Sequence, residues 1–515
     1  MNAAKLRDKM DDLLNPIVVK ELRQVVRSRV IMAALILFLI VQLAILLFNL
    51  SVDERRGVDY TSLHAGRHIF TVFQGILLGT CMLLVPTYAG IRLSSEHSET
   101  NVDLLFISTL RPLHIIAGKM QASVVLMLLI FSACAPFMTF TYLMRGIDIP
   151  SIVLILALDF LVVLFGTQAA IFLGSIPANL GLRLFLGVSG LVALFFVFLG
   201  AMASSIGVLE LGLGSRMDTS EFWLAVGGVA IVLVASIGQF FTWSVSIVSS
   251  PSANRAFPSR LYFLGFWLVT GVVAFVLTDR IHEIGLFLSW TFLVTLMLCL
   301  QVVVSINERQ QWGMRVLRMV PRNRVLRPVA FLFYSGSAGG ILFATGMIAL
   351  TFALTYLALN GNEFSSLSIS PYRLDMYRRE IAAFGLIALY TLVYCLMAVW
   401  VRNVLFPKLV KTSHTWVVSL LLFGIGFSLP LMLVFMFQNE DWRMGQVDPW
   451  WYISNPVWTI YEITERGGSN ADDFRVGSLV FLSAMTFLLL MANMPWIVRQ
   501  VRRFRPPLTP LAETP

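Results

Sequence analysis

Long apolar runs separated by short polar segments make up most of the chain. Twelve runs, residues 30–50, 69–91, 120–144, 151–173, 184–205, 222–248, 261–278, 285–305, 329–359, 381–401, 415–438 and 477–498, reach about 18 residues or more, the length a ~30 Å hydrocarbon core asks of a helix. The pattern predicts an all-α polytopic membrane protein with about twelve transmembrane helices. The first run follows a charged stretch with no small-residue cleavage pattern, so it is expected to stay as the first span. The ninth run, 329–359, carries Ser335-Gly336-Ser337-Ala338-Gly339-Gly340 near its start. It is too long for a straight span and is expected to tilt, break or begin along the surface.

The polar segments carry their own helix signals. In residues 11–29, Asn15 suits an N-cap and Pro16 the first helical position, so a helix should begin there. Leu14, Val18, Leu22, Val25 and Val26 form one stripe and Lys20, Arg23 and Arg27 the other, the pattern of a helix lying in the headgroup plane. A basic helix that only orients the first span fits the same pattern. Within residues 92–119, Thr100 and Asp103 have capping-box spacing, which predicts a short helix with Val102, Leu105, Phe106 and Thr109 on its apolar side. Leu110, Arg111 and Pro112 then read as a corner into the next span. Residues 306–328 interleave six arginines with Trp312, Val316, Leu317 and Met319 and suggest a second interfacial helix. In the long segment 439–476, Asn455-Pro456 followed by Val457 and Trp458 predicts a capped amphipathic helix, serving either as a lid or as part of an aromatic surface belt.

Composition agrees with the periodicity. The chain is 57% hydrophobic and 13% charged, with mean hydropathy +0.80, against about 25% charged in a soluble domain. Charge orients the spans. With both termini in the cytoplasm, the inner segments hold 26 of the 38 basic residues and 9 of the 29 acidic ones, as the positive-inside rule requires. The net charge of +9 thus belongs to the cytoplasmic membrane surface, and no recognition motif points to nucleic acid. Cys81, Cys134, Cys299 and Cys395 all fall inside runs and are expected to act as small apolar residues.

Candidate chemistry is sparse. Asp159 lies near mid-depth of the fourth run, where an acid is a functional candidate by default. The competing reading is a protonated carboxyl bonded to a neighbouring helix, through Gln42, Gln74, Gln168, Gln239 or Gln301. His64 and His68 have helical metal-ligand spacing without an assured third ligand, so no metal site is assigned. Gly187-Val188-Ser189-Gly190 matches the GxSG around the serine of rhomboid proteases. All six histidines fall in loops or at run edges, which leaves Ser189 without a buried base and makes helix packing the better account of the glycines. The Gly118-Lys119 pair lacks the first glycine of a phosphate loop, Leu113 standing in its place. The chain is therefore not expected to be an enzyme or to hold a cofactor.

Glu96, then Glu99-Thr100, Leu104-Leu105, Thr109-Leu110-Arg111-Pro112 and Gly118-Lys119 entering an apolar run resemble the first cytoplasmic loop of ABC-2 type transporter permeases. Position 99 is usually glycine in that family. Asn15-Pro16 followed by Lys20-Glu21-Leu22-Arg23 is similar to the family's amino-terminal interfacial helix. The resemblance covers roughly the first 150 residues. It implies that the loop couples to a separate ATP-binding subunit through Glu96, Glu99, Thr100, Asp103, Leu104, Leu105, Phe106, Thr109, Arg111, Pro112 and Lys119. Asn15, Pro16, Lys20, Glu21, Arg23 and Arg27 would belong to the interfacial helix. ATP and Mg would sit on the partner, and membrane lipids would surround a multi-pass protein of the cell membrane. Residues 1–29 would be the cytoplasmic start, 30–248 and 249–498 two six-helix halves, and 499–515 a cytoplasmic tail. The twelve spans could make a complete translocation unit or half of a homodimer. A proton-coupled secondary transporter using Asp159, with Gln168 as a further intramembrane polar residue, and a non-transporting scaffold are the alternatives.

Overall fold

The computed structural model describes residues 16–56, 65–96, 112–143, 147–210, 217–250, 253–360, 371–437, 449–465 and 469–506. Among these there is no strand, and 12 helices are long and apolar enough to cross a membrane. The protein is an all-α polytopic membrane protein, as the run lengths predict. The chain forms two compact units, Met1–Ser250 and Pro251–Pro515.

The first unit contains α1 (Pro16–Arg27), α2 (Arg29–Arg56), α3 (Ala65–Glu96), α4 (Pro112–Leu143), α5 (Ile149–Ser175), α6 (Leu180–Glu210) and α7 (Ser220–Val248). Pro16 opens α1 as expected, while Asn15 lies outside the described residues. At the head of α5, the Asp148 carboxylate accepts from the Ser151 amide at 3.4 Å and the Ser151 hydroxyl at 2.6 Å, with Pro150 in the first turn. These bonds satisfy donors that a helix start leaves open.

The core is built around α3, which packs on α5, α4 and α6. Phe70, Phe73, Leu77, Leu78, Cys81 and Val85 are fully buried there. Their spacing of three and four keeps them on one helical face. Pro86 interrupts the backbone ladder of α3 one turn before Gly90. A Cβ on Gly174 of α5 would overlap the Gly90 carbonyl, and one on Gly90 would come to 3.0 Å from the Ala170 carbonyl. Glycine is therefore required where α3 and α5 cross backbone against backbone, a small-residue crossing common between membrane helices.

The second unit contains α8 (Ala256–Ile281), α9 (Gly285–Ile306), α10 (Met314–Arg318), α11 (Leu326–Phe333), α12 (Ser337–Asn360), α13 (Pro371–Trp400), α14 (Thr415–Phe437), α15 (Pro456–Glu465) and α16 (Ser469–Arg503). A wide turn over Val401–Leu405 ends α13. His282, in the left-handed region at φ 58°, closes the short connection between α8 and α9. Of the three outcomes open to the over-long ninth apolar run, tilt, break or a start along the surface, the structure shows a break. The run divides into α11 and α12 across Tyr334-Ser335-Gly336, and Gly336 adopts φ 156°, open to glycine but not to a residue with a Cβ.

The segment around α15 is turned inside out relative to a soluble amphipathic helix. Asn455, Thr459, Glu462 and Ile463 are buried, whereas Trp450, Trp451, Val457 and Tyr461 are exposed. Asn455 caps α15 by accepting from the Trp458 amide at 3.1 Å, which agrees with the sequence expectation. The polar side is held by the bundle. Tyr390 on α13 donates to the Ile453 carbonyl at 2.5 Å and lies 3.0 Å from the Thr459 hydroxyl, and Tyr394 donates to the Ser454 carbonyl at 2.5 Å. Asn455 donates to the Phe427 carbonyl of α14 at 2.9 Å. A surface belt alone is therefore too simple a description, because one side of α15 is packed interior.

Candidate functional site

The richest polar cluster of the first unit lies where α1, the end of α3 and the start of α4 meet. Lys119, two turns into α4, is 3% exposed, and its Nζ sits 2.9 Å from Glu21 Oε1 and 2.7 Å from Glu96 Oε2. Glu21 is itself buried, its side chain 5% exposed, while Glu96 is 37% exposed at the last turn of α3. Lys20 reaches Glu96 at 3.8 Å from the solvent side. Arg92, one turn before Glu96, donates to Gln24 Oε1 of α1, and its guanidinium stacks over the Tyr88 ring at 5.6 Å.

Local sequence explains how these groups come together. Val18, Glu21, Leu22 and Val25 recur at helical spacing, and Val18, Glu21 and Val25 are buried as α1 packs on α4. The expected apolar stripe thus includes a carboxylate. Lys119 supplies the charge that lets the Glu21 carboxylate face inward. Lys20, Arg23 and Arg27 are exposed, as the two-stripe pattern predicts.

Two carboxylates on one buried ammonium make a tie among three helices. Glu96 is the residue after which the 97–111 segment begins, and Pro112 is the one with which α4 resumes. Both stems of that segment are consequently fastened to α1. A cavity of about 10 Å³ lined by Glu21, Tyr88, Arg92, Lys119 and Ser123 lies beside the ion pairs, room for about one water molecule. The ion pairs thus pack with little open space beside them.

Of the loop residues singled out from sequence, the structure brings together Glu96 and Lys119, with Pro112 at the head of α4. Glu99, Thr100, Asp103, Leu104, Leu105, Phe106, Thr109 and Arg111 lie outside the described residues. Sequence reasoning missed Gln24, Tyr88 and Arg92. The pairing of Glu21 with Lys119 was not foreseen either, since nothing in the sequence links positions 98 residues apart.

Asp159 lies deeper in the same unit and is 2% exposed. Its Oδ2 accepts from Gln74 Nε2 of α3 at 2.8 Å, one of the amide partners foreseen. Gln168, nine residues further along α5, faces α7 instead and donates to Ser244 at 3.3 Å. The two intramembrane polar groups therefore do not form one track. Ser189 on α6 is exposed and donates to the Leu186 carbonyl of its own helix. A Cβ on Gly190 would meet Leu173 at 2.8 Å, so that glycine serves packing on α5, while Gly187 faces open space. Among the described residues no group of three or more metal-ligating side chains is found.

The second unit has a comparable node that sequence reasoning did not find. Arg260 of α8, fully buried, donates to the Leu332 and Tyr334 carbonyls at 2.7 Å each and to both oxygens of Glu308 at 2.6 Å. Glu308 also accepts from the Gly336 amide at 2.6 Å. These bonds satisfy the backbone groups freed where α11 gives way to α12. Burial of Tyr334, at the same break, pushes its phenol above the ordinary range.

Compared with protein-family models, curated proteins and solved structures, the chain matches none.

Proposed function

We propose that the chain is the membrane permease subunit of an ABC-2 type exporter, driven by ATP hydrolysed on a separate subunit. In this reading residues 92–119 are the loop that engages the ATPase, both termini are cytoplasmic, and ATP and Mg belong to the partner. The observation that carries it is the Lys119 cluster, which fastens α1 to both stems of the 97–111 segment. A loop that receives force from a partner needs a stiff mounting, and buried ion pairs with little room to relax provide one. The sequence resemblance and the charge bias of the inner segments add support.

The test is Leu105→Asp. If Leu105 belongs to an apolar face covered by the ATPase, a charge there without a partner weakens the complex severely. The variant should insert normally yet lose co-purifying ATPase and substrate-stimulated ATP hydrolysis, with Glu99→Gln doing less. An intact, fully active complex would remove the coupling role. Orientation is checked by labelling sealed cells from outside, where a cysteine at Ser469 should react and one at Ser98 should not. The buried Asp159 carboxyl favours a second reading, a proton-coupled transporter. Transport driven by a pH gradient without ATP would put that reading in place of the first.

A further inference from the structure

Between α9 and α12 the chain leaves one span and enters another, and the connection has two different sides. Its inner side is fixed to the second unit. Val316, Val320, Ala330 and Phe331 are buried, Trp312 and Tyr334 pack on Phe504 with ring centroids 5.1 and 5.5 Å away, and Tyr334 donates to the Met319 carbonyl at 2.8 Å. The outer side is basic. Arg309, Arg315, Arg318, Arg322 and Arg324 are exposed and Arg327 is half-buried, and no acidic residue occurs between positions 309 and 330. Glu308, at the border, is already engaged by Arg260. Met314, Met319, Val325, Leu326 and Val329 are interleaved with the arginines and also exposed.

This mixture discriminates among surroundings. Water suits the arginines and disfavours so many large apolar side chains in one short segment, and hydrocarbon suits the reverse. The headgroup boundary accepts both, provided its phosphates carry the opposite charge. Ile306 ends one span and Ser337 begins the next, so the segment is held at the bilayer surface from both sides. We propose that residues 309–330 form a docking surface for anionic phospholipids of the leaflet at that end. The guanidinium forks grip phosphate oxygens, and Met314, Met319, Val325, Leu326 and Val329 enter the upper acyl region. The fixed inner side presents this face without a folding step on binding. The inference holds whichever transport reading is correct.

The test uses the full chain with Met319→Cys carrying a bimane fluorophore, in nanodiscs of phosphatidylcholine with a minority of phosphatidylglycerol. Cys81, Cys134 and Cys395 are buried, and the unsubstituted chain gives the labelling background. Bromines are placed high on the acyl chains of one lipid or the other. Bromo-phosphatidylglycerol should quench several-fold more than its mole fraction predicts. The excess should vanish in high salt, which screens the attraction, and in the variant combining Arg315→Gln, Arg318→Gln, Arg322→Gln and Arg324→Gln. The salt arm uses the unmodified arginines, so it stands even where the variant folds poorly. Quenching in proportion to mole fraction would overturn the proposal. Absence of quenching by either lipid would also overturn it, and is the result expected of a surface for an acidic protein or a nucleic acid. Neither outcome involves ATP or transport, so failure here is distinct from failure of the permease reading.

Discussion

Lys119→Met isolates the tie between α1, α3 and α4. Methionine keeps most of the side-chain volume and removes the ammonium that lies 2.9 Å from Glu21 and 2.7 Å from Glu96. Glu21, 5% exposed, is then stranded in a nearly dry site, whereas Glu96, 37% exposed, turns to water. Breaking a buried pair by removing one partner costs about 3–5 kcal/mol, and the half-exposed Glu96 arm accounts for no more than about 0–1 kcal/mol. At roughly 2–4 °C per kcal/mol for a unit of this size, the midpoint should fall by about 6–20 °C. Glu21→Gln should lose less, because Lys119 keeps Glu96, and Glu96→Gln least. Combining Lys119→Met with Glu21→Met removes both buried charges and should recover most of the loss. The assay is thermal unfolding of purified protein in detergent, followed by tryptophan fluorescence and by loss of the monodisperse peak. The reasoning fails if Lys119→Met melts with the parent, or if the double variant falls below the single one.

Gly174→Leu should force α3 and α5 apart at the Gly90 carbonyl and cost about 1–3 kcal/mol in the same melts, while Gly187→Leu, whose Cβ points into open space, should leave the midpoint unchanged. Arg260→Met removes the donor of the Leu332 and Tyr334 carbonyls and leaves Glu308 with the Gly336 amide but without its cation. Hydrogen exchange over residues 326–340 should speed up markedly while that of α16 does not, and uniform exchange would refute the local role. Asp159→Asn keeps the shape of the pair with Gln74 and removes the ionisable group. Transport equal to the parent at every pH would end the proton-relay reading and leave packing as its role.

How much of this was legible beforehand depends on the range of the interaction. Run length alone locates the spans, because a bilayer sets a nearly fixed helix length, and the excess length of 329–359 admits a break as one of three outcomes, of which the structure shows the break at Gly336. Caps are equally local, which is why Pro16 and Asn455 could be read. Glu21 could not. In a helix whose neighbours are Lys20 and Arg23 a carboxylate looks like one more exposed charge, and only packing against α4 shows that it shares a face with Val18 and Val25. Gln74 was one amide among five that could serve Asp159, and choosing it requires the crossing of α3 and α5. Arg260 has no local signature either. Its partners are backbone carbonyls more than 70 residues away, whose availability exists only once α11 has ended.

The inverted polarity of the α15 segment bears on the order in which the chain can be made. Its polar groups find partners on Tyr390, Tyr394 and Phe427, all synthesised earlier, so the segment can seat while α16 is still inside the ribosome. Phe474, packed on Trp450 at 5.2 Å, and Leu482, in the same core as Tyr390 and Ile463, then close over it. A chain that stops short of α16 lacks the apolar seal over Trp450 and Ile463, so those side chains would be left uncovered in a nascent intermediate.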